Sequence, residues 1–391
     1  MNEPIIRNDK KQIIVVIGAT ASGKSTVAHQ ICKKLNGEII NADVMQCYKG
    51  LPIATNKPSE EEKQEFHYHL VDFVSPEVNY TVQQWVNDAD KAIETICLKN
   101  KIPIICGGTS YYIDALLFRH QSKDLIKVNE SKILPWKEDE WYNKLKEIDP
   151  IMAERLHPND ITRIKNALIY YIQYNQPISS TFLKEHIEMK YNPIIIWVDA
   201  DIKLLYQRAD KRVNVMVQQG MVEQNMKFIE EHEEELKQLE WKWGICMAIG
   251  FQEFIECKLK GTPIEIAIEN VKIHTKQYIK KQIRWINNKI VKTKKSSIIH
   301  FIHHENDILQ LDLIFQQINE QLNSNCNSFN TITKEKEIKE EEKTKLIQWK
   351  KYYCEICDII LNGEKEWNVH LISKRHKYKL KRIKKTQEYI K

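Results

Sequence analysis

The chain has 391 residues, 42% hydrophobic and 29% charged, with 11 Gly and 11 Pro, which suits two or three domains of roughly 100–200 residues each. That composition excludes collagen-like, mucin-like and wholly disordered chains. The net charge of +6 sits at one end: from Lys351 onward there are 11 Lys/Arg against 5 Asp/Glu, while the first 350 residues carry 48 of each sign. A basic tail on a neutral body points to a polyanion contacted at one end, with a solvated basic helix as the plain alternative.

The opening MNEPIIRNDKK has neither the apolar stretch of a secretory signal nor the Arg/Ser-rich pattern of a transit peptide. The apolar runs are about five residues long, far short of the ~20 that span a bilayer. Nine cysteines, an odd number, suit a reducing compartment better than a disulfide framework. The expectation is a cytoplasmic protein with no membrane contact, with nuclear or mitochondrial pools as alternatives; a monomer is the default.

Along the chain, apolar β-branched runs recur at Ile13–Ile17, Glu38–Asn41, Ile102–Cys106 and Pro193–Val198. Helical patterns lie between them at Lys24–Leu35, Val82–Leu98 and Tyr111–Phe118. Strands alternating with helices read as a parallel sheet covered on both faces. From about Gln121 to Tyr191 helical stretches such as Ile161–Tyr174 dominate, which reads as an insertion between the third and fourth strands. Lys203–Trp285 is again helical, Asn323–Thr333 is a polar linker and Glu335–Trp349 a charged helix. The expected organisation is therefore an α/β core over 1–120 and 193–320, a helical insertion over 121–192, a linker and charged helix over 321–349, and a small module over 350–391.

Directly after the first strand, Gly18-Ala19-Thr20-Ala21-Ser22-Gly23-Lys24-Ser25 reads G-x-x-x-x-G-K-S, followed by Thr26 and a helix. In that context the glycines let backbone N–H groups turn inward on phosphate oxygens. The helix N-terminus adds its positive dipole end, Lys24 a point charge, and Ser25 a ligand for Mg2+. The motif implies a diphosphate or triphosphate without naming its carrier. A nucleotide hydrolase, a small-molecule kinase using Arg208 and Arg212, and a transferase using an organic diphosphate all remain open, as does a nucleic-acid-binding protein that only senses nucleotide.

Two further clusters follow strand ends, where the ligand crevice of an open α/β sheet lies. Asn41-Ala-Asp43-Val44-Met45-Gln46-Cys-Tyr48 follows the second run, and Gly107-Gly108-Thr109-Ser-Tyr111-Tyr112 the third. Together with TNKP at Thr55–Pro58, HYHLVD at His67–Asp72, HPND at His157–Asp160, RADKRVNVMVQQGMVE at Arg208–Glu223, AIGFQEF at Ala248–Phe254 and HTKQYIKKQIRWI at His274–Ile286, this ordered set resembles the tRNA dimethylallyltransferases over roughly residues 12–290.

That resemblance implies a P-loop NTPase-like parallel sheet and transfer of a dimethylallyl group from dimethylallyl diphosphate to N6 of the adenine at tRNA position 37. It implies Asp43 as general base, Thr109 on the bridging or leaving oxygen, and Lys24, Arg208, the loop Gly18–Thr26 and Ser25 with Mg2+ on the diphosphate. It also implies base flipping with Asp43, Val44, Met45 and Gln46 near the adenine, and an insertion that grips the anticodon loop through Thr162, Arg163, Ile164, Lys165 and Asn166. Ala19, Val44 and Lys276 depart from the residues common in the family, and the segment 121–136 matches weakly.

The tail carries Cys354-x2-Cys357-x12-His370-x5-His376, with Tyr352, Leu361 and Trp367 at apolar positions. This is the spacing of a ββα C2H2 zinc finger with a closed, structural Zn2+ site. About 30 residues cannot fold on apolar burial, and zinc binding of about 10–16 kcal/mol stands in for it. The x5 spacing resembles RNA-binding fingers, so Lys374, Arg375 and the basic run ending at Lys385 are expected to clamp tRNA phosphates.

Overall fold

The computed structural model describes residues 10–117, 134–181, 189–291, 298–302, 309–324, 351–357, 359–362, 364–373 and 376–380. The chain divides into two compact units, Met1–Arg119 with Glu188–Ser328 and His120–Ile187 with Phe329–Lys391.

Six strands form the sheet of the first unit: β1 (Gln12–Gly18), β2 (Gly37–Asn41), β3 (Tyr68–His69), β4 (Ile102–Cys106), β5 (Asn192–Asp199) and β6 (Ile298–Ile302). Their order is β3-β2-β4-β1-β5-β6, and every neighbouring pair is parallel. In chain order the helices are α1 (Lys24–Leu35), α2 (Val44–Cys47), α3 (Glu60–Glu65), α4 (Val82–Leu98), α5 (Ser110–Leu117), α6 (Trp141–Ile148), α7 (Pro150–Arg155), α8 (Ile161–Tyr174), α9 (Ile202–Gln218), α10 (Met221–Glu231), α11 (Glu233–Gln238), α12 (Gln252–Lys260), α13 (Ile264–Trp285) and α14 (Leu309–Ser324).

The central strands read as unbroken apolar runs because both faces are covered. Alternate residues of β1 go to opposite sides: Ile13, Val15 and Ile17 pack with Trp85, Val86 and Ile93 of α4, while Ile14 and Val16 pack with Val27 and Ile31 of α1 and Ile318 of α14. Each fully buried Ile or Val side chain contributes about 1.5–3 kcal/mol. Trp85 satisfies its ring N–H on the Asn41 carbonyl at 3.1 Å, so its burial leaves no polar atom unpaired. Thr81 and Gln84 close a capping box at the start of α4.

Two edge strands go beyond what the sequence signals. β3 is only two residues long, and β6 interrupts its apolar run with His300, which stacks on Trp197 of β5 at 4.2 Å. Residues 321–324, placed in the linker region on sequence, close α14 instead. The remainder of that linker, the charged segment Glu335–Trp349, and the basic positions Lys374, Arg375 and 381–385 lie outside the described residues.

In the second unit, α6, α7 and α8 share a core of Leu145, Ala153, Leu156, Ile164 and Leu168. Buried Asp149 joins them by accepting from Met152 N at 3.0 Å and Ser179 N at 2.8 Å. The segment from Lys351 forms an antiparallel hairpin, β7 (Lys351–Cys354) with β8 (Ile359–Asn362), followed by the helix Glu364–Ile372. Among the described residues no helix is long and apolar enough to cross a membrane.

Candidate active site and metal centre

The loops leaving β1, β2 and β4 converge at the carboxyl end of the sheet around a cavity of about 690 Å3. The glycine loop is shaped by two left-handed residues, Ala21 (φ 67) and Gly23 (φ 89). Gly23 stands at the N-cap of α1 and offers no side-chain cap, so the first amides of that helix are left for a ligand. Thr20, Ala21, Gly23, Lys24 and Ser25 line the cavity. Gly18, Ala19 and Ser22 do not: Gly18 packs on the Val198 carbonyl, Ala19 joins an apolar cluster with Leu205 and Ile279, and Ser22 is fully buried. Thr26 is exposed on α1.

Asp43 is placed by its neighbours. Asn41 accepts from Asp43 N and donates to Asp43 O and to Leu70 O, each at 2.9 Å, which fixes the backbone. Asp43 Oδ1 caps α2 by accepting from Met45 N at 3.2 Å, so the residue is a helix cap and a cavity residue at once. Thr109 is fastened to the same loop: its amide donates to Ala42 O at 2.9 Å and its Oγ1 accepts from Val44 N at 3.2 Å. Gly107 must be glycine, because a Cβ there would lie 2.1 Å from the Ala42 carbonyl carbon.

Burial pushes the Asp43 carboxyl above its usual range, against the pull of Lys24 and Arg212. Burial likewise lowers Lys24 and Arg212, with Asp43 opposing in each case. Among the described residues neither cation forms an ion pair, and Arg212 Nε is buried without a hydrogen-bond partner. Arg208, one turn earlier on α9, also faces the cavity, as do Thr275, Tyr278 and Lys281 of α13. Val213, Met216, Met247, Ile249 and Val271 add apolar wall.

Val44, Met45 and Gln46 line the same space. Gln46 donates to Thr55 O at 3.3 Å and Asn56 O at 2.8 Å, while the Lys57 ammonium is buried against Tyr48 O, Gly50 O and Asp72. Sequence reasoning quoted the stretch holding Tyr278 and Lys281 but gave these residues no role. Thr275, Tyr278 and Gln282 stand at i, i+3 and i+7 on α13, but on a lysine-rich helix a polar stripe reads as a solvated face, so it does not single them out.

In the second unit, Thr162 and Arg163 are exposed, Lys165 and Asn166 half-buried, and Ile164 fully buried in the helical core. Arg163 pairs with Asp160 at 2.9 Å.

Cys354, Cys357, His370 and His376 gather their ligand atoms within 4.8 Å of one another. His376 Nδ1 lies 3.4 and 3.6 Å from the two sulfurs and 3.0 Å from His370 Nε2. A tetrahedron with zinc bonds of about 2.0–2.3 Å has S···N edges of roughly 3.5 Å, so the four groups fit Zn2+. Tyr352 stacks on Trp367 at 5.4 Å beside them. When bound, the ion supplies folding energy that this small core lacks.

Cations gathered with open backbone amides at the carboxyl end of a parallel sheet suit a phosphorylated substrate, and this fold and cavity are those of an α/β enzyme of that class. Comparison with known proteins narrows it. The family model for IPP transferase matches residues 46–289, and that for a zinc-finger of C2H2 type matches residues 352–376. The tRNA dimethylallyltransferase of Saccharomyces cerevisiae is 30% identical, the alignment covering 98% of this chain and 95% of the yeast protein. That of Mus musculus is 34% identical, covering 95% of this chain and 86% of its own. A solved structure of a eukaryotic dimethylallyltransferase acting on tRNA matches with a TM-score of 0.78 at 30% identity, over 97% of this chain and 98% of that one. The chain belongs to the IPP transferase family.

Proposed function

We propose that this chain transfers the dimethylallyl group of dimethylallyl diphosphate to N6 of the adenine at position 37 of tRNA, releasing pyrophosphate. One observation carries the reading: Lys24 and Arg212, neither of which forms an ion pair among the described residues, share a single cavity with an aspartate whose carboxyl is pushed up by burial.

In this reading the diphosphate rests on the amides that open α1, with Lys24 and Arg208 against its charge. The allylic C1–O bond breaks, a C1–N6 bond forms, and the electron pair of the broken bond leaves with pyrophosphate. The exocyclic amine is a poor nucleophile because its lone pair is delocalised into the ring. Asp43 takes the proton it sheds, worth about 10²–10⁴-fold. Thr109 donates to the bridging oxygen. Mg2+, held by Ser25 and the diphosphate, would neutralise part of the leaving charge; the Ser25 hydroxyl lines the cavity and suits that hard cation. The adenine must leave its stack, at a few kcal/mol, to reach Asp43, with Val44, Met45 and Gln46 around it.

The helical insertion over 121–192 reads the anticodon stem-loop through Thr162, Arg163, Lys165 and Asn166, with Ile164 supporting them from the core. The finger and the basic run after it clamp tRNA phosphates, and the chain works as a monomer in the cytoplasm. The test incubates the protein with Mg2+, labelled dimethylallyl diphosphate and total tRNA, and separately with labelled ATP. Label entering tRNA supports the reading; ATP turnover with unlabelled tRNA defeats it. Deleting residues 351–391 should weaken tRNA binding and flatten its salt dependence while pyrophosphate still binds.

A further inference from the structure

The geometry points to Gln282 as a positioning residue that ties the glycine loop to the Thr109 turn and so sets the distance between the diphosphate nest and the reacting groups. The proposal rests on the transfer reaction just described.

Gln282 lies near the end of α13 and is only 3% exposed. Its Oε1 accepts from Thr20 N at 2.8 Å, across 262 positions of sequence. Its Nε2 donates to Gly108 O at 2.9 Å, across 174 positions. The amide can face only this way, since a flipped group would set an N–H donor against the Thr20 donor and an oxygen against the Gly108 carbonyl. Both ends of a buried polar group are satisfied by backbone from two different loops.

Those loops leave β1 and β4, which are hydrogen-bonded neighbours in the sheet. Beyond the strand ends that pairing stops, and the Gln282 amide carries the connection onward. Its effect on the Gly108–Thr109 peptide is doubled by Tyr278, whose hydroxyl donates to the same carbonyl at 3.1 Å. On the other side of that peptide, Thr109 N is held by Ala42 O at 2.9 Å. The peptide plane that presents Thr109 is therefore gripped from both edges, once by α13 and once by the loop that carries Asp43.

The bond to Thr20 has a second consequence. The Thr20 amide is already used by Gln282, and Ser22 N is used by Ala19 O at 3.1 Å. The anion nest is thereby left to amides further along the loop and at the start of α1. Gln282 thus orients the loop without competing for the ligand. Misplacing reacting groups by about 1 Å can cost up to 10²-fold in rate, so loss of this tie should appear in turnover before it appears in anion affinity.

The test compares the full-length wild type with Gln282→Met, which keeps the shape and removes both bonds. A second variant, Gln282→Glu, keeps the acceptor for Thr20 and loses the donor to Gly108. Three readouts apply: amide hydrogen exchange across residues 18–23, affinity for inorganic pyrophosphate, and the kcat and KM of prenyl transfer to an anticodon stem-loop. In Gln282→Met, exchange at Thr20 should accelerate and kcat should fall about tenfold or more, with pyrophosphate affinity within about threefold of wild type. Gln282→Glu should keep loop protection and still lose kcat. Unchanged exchange at Thr20 in Gln282→Met, a kcat within about twofold of wild type in either variant, or a loss confined to pyrophosphate affinity would each overturn the proposal. If Gln282→Met fails to fold, Gln282→Glu decides: retained loop protection with a lowered kcat supports the tie, and a kcat near wild type or a loss confined to pyrophosphate affinity overturns it. A wild type that transfers no label defeats the substrate reading, while the exchange experiment still tests the tie.

Discussion

One strand of the sheet carries two carboxylates whose fates are opposite. Glu38 lies at the amino-terminal end of β2 and Asp43 just past its carboxyl end. Glu38 is buried, which alone would raise its carboxyl, but hydrogen bonds from His69 (2.8 Å), Lys101 (2.9 Å) and Lys99 (3.2 Å) hold it at about 2. Asp43 is raised, because burial outweighs Lys24 and Arg212, neither of which bonds to it. A carboxylate with all its partners is locked in its charged form and serves the fold. One short of partners is poised to accept a proton, which is what a general base requires.

The largest effect expected from breaking this contrast is at Asp43. Asp43→Asn should lower prenyl transfer by about 10²–10⁴-fold while pyrophosphate still binds. The sign for stability is the reverse: a carboxyl raised in the folded state makes ionisation unfavourable there, so the neutral variant should melt no lower than wild type at neutral pH. A transfer rate near wild type would remove Asp43 from the chemistry.

Glu38→Gln should do the opposite. It removes the charged acceptor that two ammonium groups and His69 share, at a cost of about 1.5–3 kcal/mol by denaturant titration, while turnover per folded molecule is retained. Because its carboxyl is lowered from 4.5 to about 2, the stabilisation from Glu38 is fully present above pH ~4.5 and disappears as pH falls toward 2. The pH profile of kcat/KM should sharpen the comparison. Its acid limb, assigned to Asp43, should lie above the ordinary value of 3.8, and no residue of the Glu38 cluster should move it.

The difference between the clusters also explains how far the sequence could be read. β1, β2, β4 and β5 are legible because strands buried on both faces need continuous apolar β-branched runs, and Asp43 and Thr109 because strand ends define the crevice. The glycine loop is legible because its spacing is dictated by backbone geometry alone. The Glu38 cluster is not, since its partners come from β3, a two-residue strand without periodicity, and from the turn before β4. Gln282 is not, because α13 reads as a lysine-rich solvated helix until tertiary contact turns one of its stripes inward. Local rules reach what one element determines; charge compensation is decided between elements.

The smallest effects test whether the Glu38 cluster works as a unit. Lys99 and Lys101 keep 44% and 33% of their side chains exposed, so Lys99→Met or Lys101→Met alone should cost less than about 1 kcal/mol, as for surface pairs. Each single variant leaves Glu38 one ammonium, His69 and, at 3.8 Å, His67. The double variant leaves only the two imidazoles, and burial biases that of His69 toward its neutral form. The carboxylate must then remain charged beside imidazoles alone, or draw a proton onto His69. Either route costs more than two surface pairs, so the double variant should exceed the sum of the singles by roughly 0.5–3 kcal/mol. Strict additivity in a double-mutant cycle would mean that Glu38 is held by independent contacts, and its contrast with Asp43 would reduce to burial alone.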